Sequence, residues 1–135
     1  MKDDEIMKAI LSSAKTVASV GISGNREKVS NSVGAYLLEK GYRLIPVNPT
    51  ADEILGRKSY PDLESVPEAI DVVQVFRRPE DVPPVVESAI RVGAKVVWMQ
   101  EGIVNEEAAQ RAREAGLQVV MDACMRAVHQ RLFSS

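Results

Sequence analysis

One junction is written three times along the chain: a helix-like stretch runs into a glycine and straight on into a strand-like run. The copies are Leu38-Glu39-Lys40-Gly41-Tyr42, Ile90-Arg91-Val92-Gly93-Ala94 and Arg113-Glu114-Ala115-Gly116-Leu117. A glycine just past a helix takes the left-handed backbone that closes it, so each copy predicts a helix-to-strand turn. The apolar runs that these turns feed, with two more that they do not, are Thr16–Val20, Leu44–Val47, Val72–Phe76, Val96–Met99 and Val119–Met121. They are short, valine-rich and mostly unalternated, as in strands covered on both faces.

Helical stretches of about ten residues separate the runs, the length of crossover units. Ser30 or Asn31 is expected to cap a helix through Lys40, and Asp81 with Pro83 to open one through Val92. Asn105 is expected to cap a helix through Ala115, with Ala108, Ala112 and Ala115 as a small-residue face. An amino-terminal helix over Asp4–Ala14 places Ile6, Ile10 and Leu11 on one side, and a last helix runs from Cys124 to Leu132. Strand and helix alternate five times, which predicts an α/β fold with a doubly wound, five-stranded parallel sheet and helices on both faces. Thr50 to Ile70, with Pro61 and Pro67, reads as a long connection with a short helix.

The chain has 135 residues, 17 basic and 19 acidic, so its net charge is −2. That size supports one core, read here as a single domain over residues 1–135. Mixed charge without a basic face argues against nucleic acid, and 4% aromatics argues against stacking platforms for bases. One cysteine excludes an intramolecular disulfide. With no amino-terminal apolar segment and no run of membrane-spanning length, the expectation is a cytoplasmic protein that does not enter a membrane. A homo-oligomer or an unidentified protein partner is compatible with the sequence.

In open parallel sheets ligands bind beyond the carboxyl ends of the strands, where strand order reverses. The loop after the first strand reads Gly21-Ile22-Ser23-Gly24-Asn25-Arg26-Glu27-Lys28-Val29-Ser30-Asn31. Its glycines let backbone approach a ligand, its amides and the next helix's amino terminus suit a phosphate or diphosphate, and Arg26 and Lys28 add positive charge. A flexible polar loop is the competing reading. The loop departs from G-x-G-x-x-G, since Ser23 and Arg26 stand at the second and third glycines. The second strand ends Ile45-Pro46-Val47-Asn48-Pro49, without the carboxylate that a nicotinamide dinucleotide site places there to bond the ribose. Its prolines stiffen a surface on which an adenine could lie, or simply end an edge strand. After the third strand, Phe76-Arg77-Arg78 sets two guanidiniums at the rim, suited to phosphate unless they pair with Glu80 or Asp81. Gln100 and Gly102, after the fourth strand, are either ligand contacts or a capping turn.

These residues resemble the small CoA-binding proteins, which match the nucleotide-binding domain of the succinyl-CoA synthetase alpha subunit. The resemblance covers essentially the whole chain. It rests on Val20-Gly21-Ile22-Ser23, Ser30-Asn31 with Tyr36-Leu37 and Gly41-Tyr42, Ile45-Pro46-Val47-Asn48-Pro49, Leu55-Gly56 with Tyr60, Val75-Phe76-Arg77, Val97-Trp98-Met99-Gln100 with Gly102-Ile103, and Asp122 with Cys124-Met125, His129 and Arg131. It implies a Rossmann-like domain that holds coenzyme A, with the diphosphate on the first loop, the adenine side near Val47 and Asn48, and Phe76 and Arg77 flanking the site. Binding without catalysis is the function it implies, because the catalytic histidine of such a synthetase lies in a further domain. Ala123 departs from an arginine of the family pattern, Val128 from a glutamate, and Gly34 falls inside the first crossover helix, where it suggests tight packing.

Two other functions remain as alternatives: an NAD(P)-binding oxidoreductase-like module, and a thiol or redox protein built on Cys124. Cys124 near a helix start suits a nucleophile, and His129 is the chain's one histidine. Five positions apart on one helix, however, they point about 140° from each other. A small buried hydrophobe and a structural hydrogen-bonding histidine are the simpler assignments. Trp98, Met99, Met121 and Met125 read as core, and one histidine with one cysteine makes no usual zinc site.

Overall fold

The computed structural model describes residues 3–134. Its helices are α1 (Asp3–Ser13), α2 (Val29–Glu39), α3 (Val82–Arg91), α4 (Glu106–Glu114) and α5 (Met125–Phe133). Its strands are β1 (Thr16–Val20), β2 (Arg43–Val47), β3 (Glu53–Ile54), β4 (Arg57–Lys58), β5 (Val72–Val75), β6 (Val96–Met99) and β7 (Gln118–Val120). Five strands form one parallel sheet in the order β2-β1-β5-β6-β7, and β3 pairs with β4 in a separate antiparallel hairpin. The doubly wound, Rossmann-like fold expected from the sequence is the fold observed. The order reverses between β1 and β5, so the switch point lies between the ends of those two strands.

Both faces of the sheet are covered, which is why its strands carry valine on either side. Ala18, Val20, Ile45, Val73, Val75, Val97 and Met99 meet α3 and α4 through Val82, Val86, Ala89, Ala108, Ala109 and Ala112. On the other face Val17, Leu44, Val72, Val96, Trp98 and Val120 meet α1, α2 and α5 through Met7, Ile10, Leu11, Val33, Leu37, Met125 and Val128. Trp98 is fully buried and donates its indole N–H to the Ala123 carbonyl at 2.8 Å, which removes the penalty of burying that donor. The three junction glycines, Gly41, Gly93 and Gly116, have φ of 94°, 76° and 93°, the left-handed closure their positions predict.

Several local expectations are corrected. Ser30 and Asn31 lie inside α2, whose N-cap is Lys28 without a side-chain cap. Asp81 precedes α3 but caps nothing, because its carboxylate accepts from Arg78 instead. Asn105 does cap α4, accepting from the Ala108 amide at 2.9 Å. On that helix Ala109 is buried with Ala108 and Ala112, while Ala115 is exposed. On α1 the buried residues are Met7, Ile10 and Leu11, with Ile6 half-buried. Met121 is only partly buried, unlike Met99 and Met125. The connection after β2 holds the β3–β4 hairpin as well as its expected short helix, a 3₁₀ turn at Leu63–Ser65.

Gly34 has a packing reason. A Cβ there would fall 2.7 Å from Ile22 Cδ1 and 3.1 Å from both Leu44 Cδ2 and Leu55 Cδ1, so the glycine lets α2 settle onto the sheet edge. This offsets its unfavourable helix propensity of about 1 kcal/mol.

Candidate functional site

Gly21 follows β1 with φ of 91°, and a Cβ on it would run into the Phe76 carbonyl oxygen. The first loop and the loop after β5 therefore cross in backbone contact, and that crossing is the floor of a crevice at the switch point. On one side of it lies a cleft of about 600 Å³ lined by Gly21, Ser23, Lys28, Val29, Ser30, Phe76, Arg77, Arg78 and Ile103. On the other, about 300 Å³ open between Val47 with Pro61 and Pro84 with Val85, again reaching Arg77. Arg77 thus stands between the two spaces.

The first loop is held by its own side chains. Ser30 Oγ accepts from the Ser23 amide at 2.9 Å, Asn31 Nδ2 donates to the Ser23 carbonyl at 2.9 Å, and Ser23 Oγ accepts from the Asn25 amide at 3.0 Å. Asn25 Oδ1 in turn accepts from the Glu27 amide at 2.9 Å. Asn48 braces the loop from β2: its Nδ2 donates to the Ile22 carbonyl at 2.8 Å while its Oδ1 accepts from the Thr50 amide and hydroxyl. The first N–H groups of a helix have no intrahelical acceptor, and the Val29 and Ser30 amides have no hydrogen-bond partner among the described residues. They open beside Lys28 and Arg77, a setting in which backbone donors and positive charge favour an anion.

The two rim arginines differ. Arg78 is exposed and donates to Asp81 at 2.9 Å. Arg77 is half-buried and pairs with no carboxylate among the described residues. A guanidinium keeps its charge when partly dehydrated, so Arg77 is the rim cation left available to a ligand.

Other sequence-predicted site residues lie elsewhere. Ile22 is fully buried in the core, where its side chain meets no ligand space. Gly24, Asn25, Arg26 and Pro49 are exposed and line neither cleft. Gln100 is buried, with its Oε1 accepting from the Met125 amide at 3.0 Å and Gln74 Nε2 at 3.1 Å, so it seats the start of α5. The Gly102 amide donates to Asp122 Oδ1 at 2.7 Å. Asn31 and Asn48 act as struts.

Two residues that the sequence reading did not assign to the site line the candidate cleft. Val29 and Ile103 form apolar walls of the larger cleft. The signal for both was an apolar side chain in the stretch that leads from a strand's carboxyl end into the next helix, Ile103 in the loop and Val29 at the helix's first position. Arg126 on α5 donates to Ser32 Oγ on α2 at 2.9 Å, a contact between residues too distant in sequence for local pattern to reveal. Cys124 is the N-cap of α5 and half-buried. His129 Nδ1 shares a 2.7 Å hydrogen bond with the Tyr36 hydroxyl, and burial, with Lys40 nearby, holds its pKa below the ordinary value.

Residues 15–130 match the family of CoA binding domains. The chain belongs to that family. Uncharacterized protein YneT of Bacillus subtilis is 43% identical over 91% of this chain and 91% of its own length. A solved structure, a hypothetical protein from Pyrococcus horikoshii OT3, is 45% identical and superposes with a TM-score of 0.95 over 98% of this chain and 94% of that one. An ADP-forming 4-hydroxybutyrate–CoA ligase of Nitrosopumilus maritimus is 28% identical over 84% of this chain, which spans 18% of the ligase. The same CoA-binding domain thus matches both a chain of similar length and a part of a much longer one.

Proposed function

We propose that this CoA-binding domain holds coenzyme A, or a short acyl-CoA, across the switch point and makes or breaks no bond in it. The observation that carries the reading is the pairing of Arg77, half-buried and without a carboxylate, with the open amides of α2 across the crossing of Gly21 and Phe76. The diphosphate sits between the Val29 and Ser30 amides, Lys28 and Arg77. The adenine occupies the slot between Val47 with Pro61 and Pro84 with Val85, and the pantetheine arm runs along Phe76, Val29 and Ile103. An apolar channel next to fixed donors matches that molecule's chemistry: a charged middle, a flat base and a largely uncharged arm.

A nicotinamide dinucleotide fits less well, because the position after β2 holds Asn48, whose side chain is already engaged by Ile22 and Thr50. A Cys124 nucleophile is less favoured, since Cys124 caps α5 and His129, five positions on, points to Tyr36 on α2 rather than to the thiol. Calorimetric titration of the purified chain with coenzyme A and with NAD tests the assignment. Saturable binding of coenzyme A, tighter than that of NAD, is expected, and a folded protein that ignores millimolar coenzyme A would sink it. Incubation with bound acyl-CoA should leave the thioester intact on mass spectrometry.

A further inference from the structure

The two edges of the sheet are finished differently. Along β2 the outward carbonyl of Pro46 accepts from the Tyr60 amide at 3.0 Å, and the Tyr60 carbonyl accepts from the Asn48 amide at 2.9 Å. Pro46 itself contributes no N–H, so this edge offers little to an incoming strand.

The other edge is β7. The Gln118 amide donates inward to the Lys95 carbonyl at 3.0 Å, and the backbone groups of successive residues in a strand turn to opposite sides. Val119 and the following Met121 therefore direct their N–H and C=O groups outward, and none of these groups has a hydrogen-bond partner among the described residues. The run Gln118-Val119-Val120-Met121 carries no proline and no charge, two devices that blunt an edge. A helix does not seal it either. The edge opens on a cleft of about 560 Å³ lined by Ile6 and Met7 of α1, Val119, Met121, Val128 of α5 and Arg113 of α4.

The charges of α4 add a direction. Its first turn is acidic, with Glu106 and Glu107, and its last turn is basic, with Arg111 and Arg113. Arg111 pairs with Glu87 of α3, and Glu107 lines the groove on that same side. Arg113 instead lines the edge cleft, and Glu106, two helical turns earlier, lies on the same side of the helix. Both are exposed, and neither forms an ion pair among the described residues.

We propose that β7 pairs with β7 of a second copy of this chain, antiparallel about a two-fold axis at Val120, so that two five-stranded sheets join into one. In that register Val119 of each copy stands opposite Met121 of the other, and the two exchange both of their N–H···O bonds. The same axis sets the two α4 helices on one face running in opposite directions, which brings the Arg113 end of one beside the Glu106 end of the other. Backbone and charge are thus both complementary to the chain's own edge, whereas a strand of unrelated sequence would match the backbone alone. A two-fold contact consumes the open edge of both copies and stops at two. The crevice between β1 and β5 lies two strands away and stays open, so the proposal is independent of what that crevice holds.

Sedimentation of the full chain from about 1 μM to about 1 mM tests it, with amide hydrogen exchange at Val119 and Met121 as a second readout. Dimers are expected at the upper end of that range, with both amides exchanging more slowly as the dimer forms. Val119→Pro gives β7 the device that β2 already has, and should weaken dimerisation by about tenfold or more. Proline is tolerated at an outward-facing edge position, and the variant's urea midpoint checks that it folds. Arg113→Glu should weaken dimerisation by about tenfold, since two ion pairs become two like-charge contacts. Combining it with Glu106→Arg should restore the dimer, a result that stands whether or not Val119→Pro folds. A chain that stays single throughout the range would leave the edge to a strand from another protein, which overturns the proposal. A dimer that neither Val119→Pro nor Arg113→Glu weakens has its interface elsewhere and overturns it too, as does growth beyond two copies.

Discussion

Asp71 precedes β5 and Arg77 follows it, and the two opposite charges are treated in opposite ways. Asp71 accepts from the Lys15 and Thr16 amides at 2.8 and 3.0 Å and pairs with Lys95 at 3.4 Å, while its backbone accepts from the Lys95 and Val96 amides. Burial pushes its carboxyl pKa up, but the Lys15 and Thr16 amides and Lys95 outweigh burial and leave it below the ordinary value. At the other end Arg77 faces two open spaces and forms no ion pair with a carboxylate among the described residues. Within one sheet, the amino end ties the elements together and the carboxyl end keeps groups in reserve. Stability and ligand recognition should therefore separate by end.

The largest effect is expected where that division is deliberately crossed. Gly21→Ala lies at the carboxyl end, yet it should destabilise folding by about 3 kcal/mol, because a left-handed residue would also drive a Cβ into a carbonyl. Urea denaturation measures this, and a near-neutral result would mean that the two loops do not cross as described. Asp71→Ala should cost about 2 kcal/mol in the same assay through loss of charged hydrogen bonds, with coenzyme A affinity unchanged. A drop in affinity there would break the separation of ends. Arg77→Ala should do the reverse, lowering coenzyme A affinity about tenfold in calorimetry while leaving the denaturation midpoint nearly in place. Arg78→Ala, which removes only an exposed ion pair, should alter stability by less than about 0.5 kcal/mol.

Acid should remove two stabilising contributions in sequence, first that of His129 on α5 and then that of Asp71 at the amino end of the sheet. His129 has a depressed folded pKa, so the unfolded chain binds its proton more readily. Its contribution is present above the ordinary value of 6.5 and is lost as pH falls from there through the lower folded value. Asp71, also depressed, contributes above its ordinary 3.8 and loses that contribution at lower pH still. Stability measured against pH should thus begin to fall below about 6.5, and replacing His129 with Phe should remove that first step.

The strands were legible because what makes them is local: Val72–Val75 is buried on both faces and its composition says so. Gly21 and Phe76 each mark the end of such a run, but their backbone contact joins two separate loops and no local pattern encodes it. Capping was less legible than the strands. Ser30 and Asn31 are good cap residues one and two positions inside the helix, and their side chains instead reach back to Ser23. Gln100 looked like a rim residue because it follows a strand, but α5 closes over it, and no local pattern encodes that event. The β3–β4 hairpin has only two residues in each strand and turns through Leu55 and Gly56, both at positive φ. So short a ladder leaves no alternation to read. Arg126 needs the pairing of α2 with α5, which only tertiary packing supplies.

The crossing of Gly21 beneath the Phe76 carbonyl also bears on kinetics. Two backbones already in contact have no slack to take up, and the loop above them is laced by Ser30, Asn31 and Asn48, so no lid has to open before a ligand enters. A preformed crevice of this kind exchanges its occupant at the pace of encounter and release. Occupancy should then follow the surrounding ligand concentration closely, as expected of a gauge of supply rather than a store.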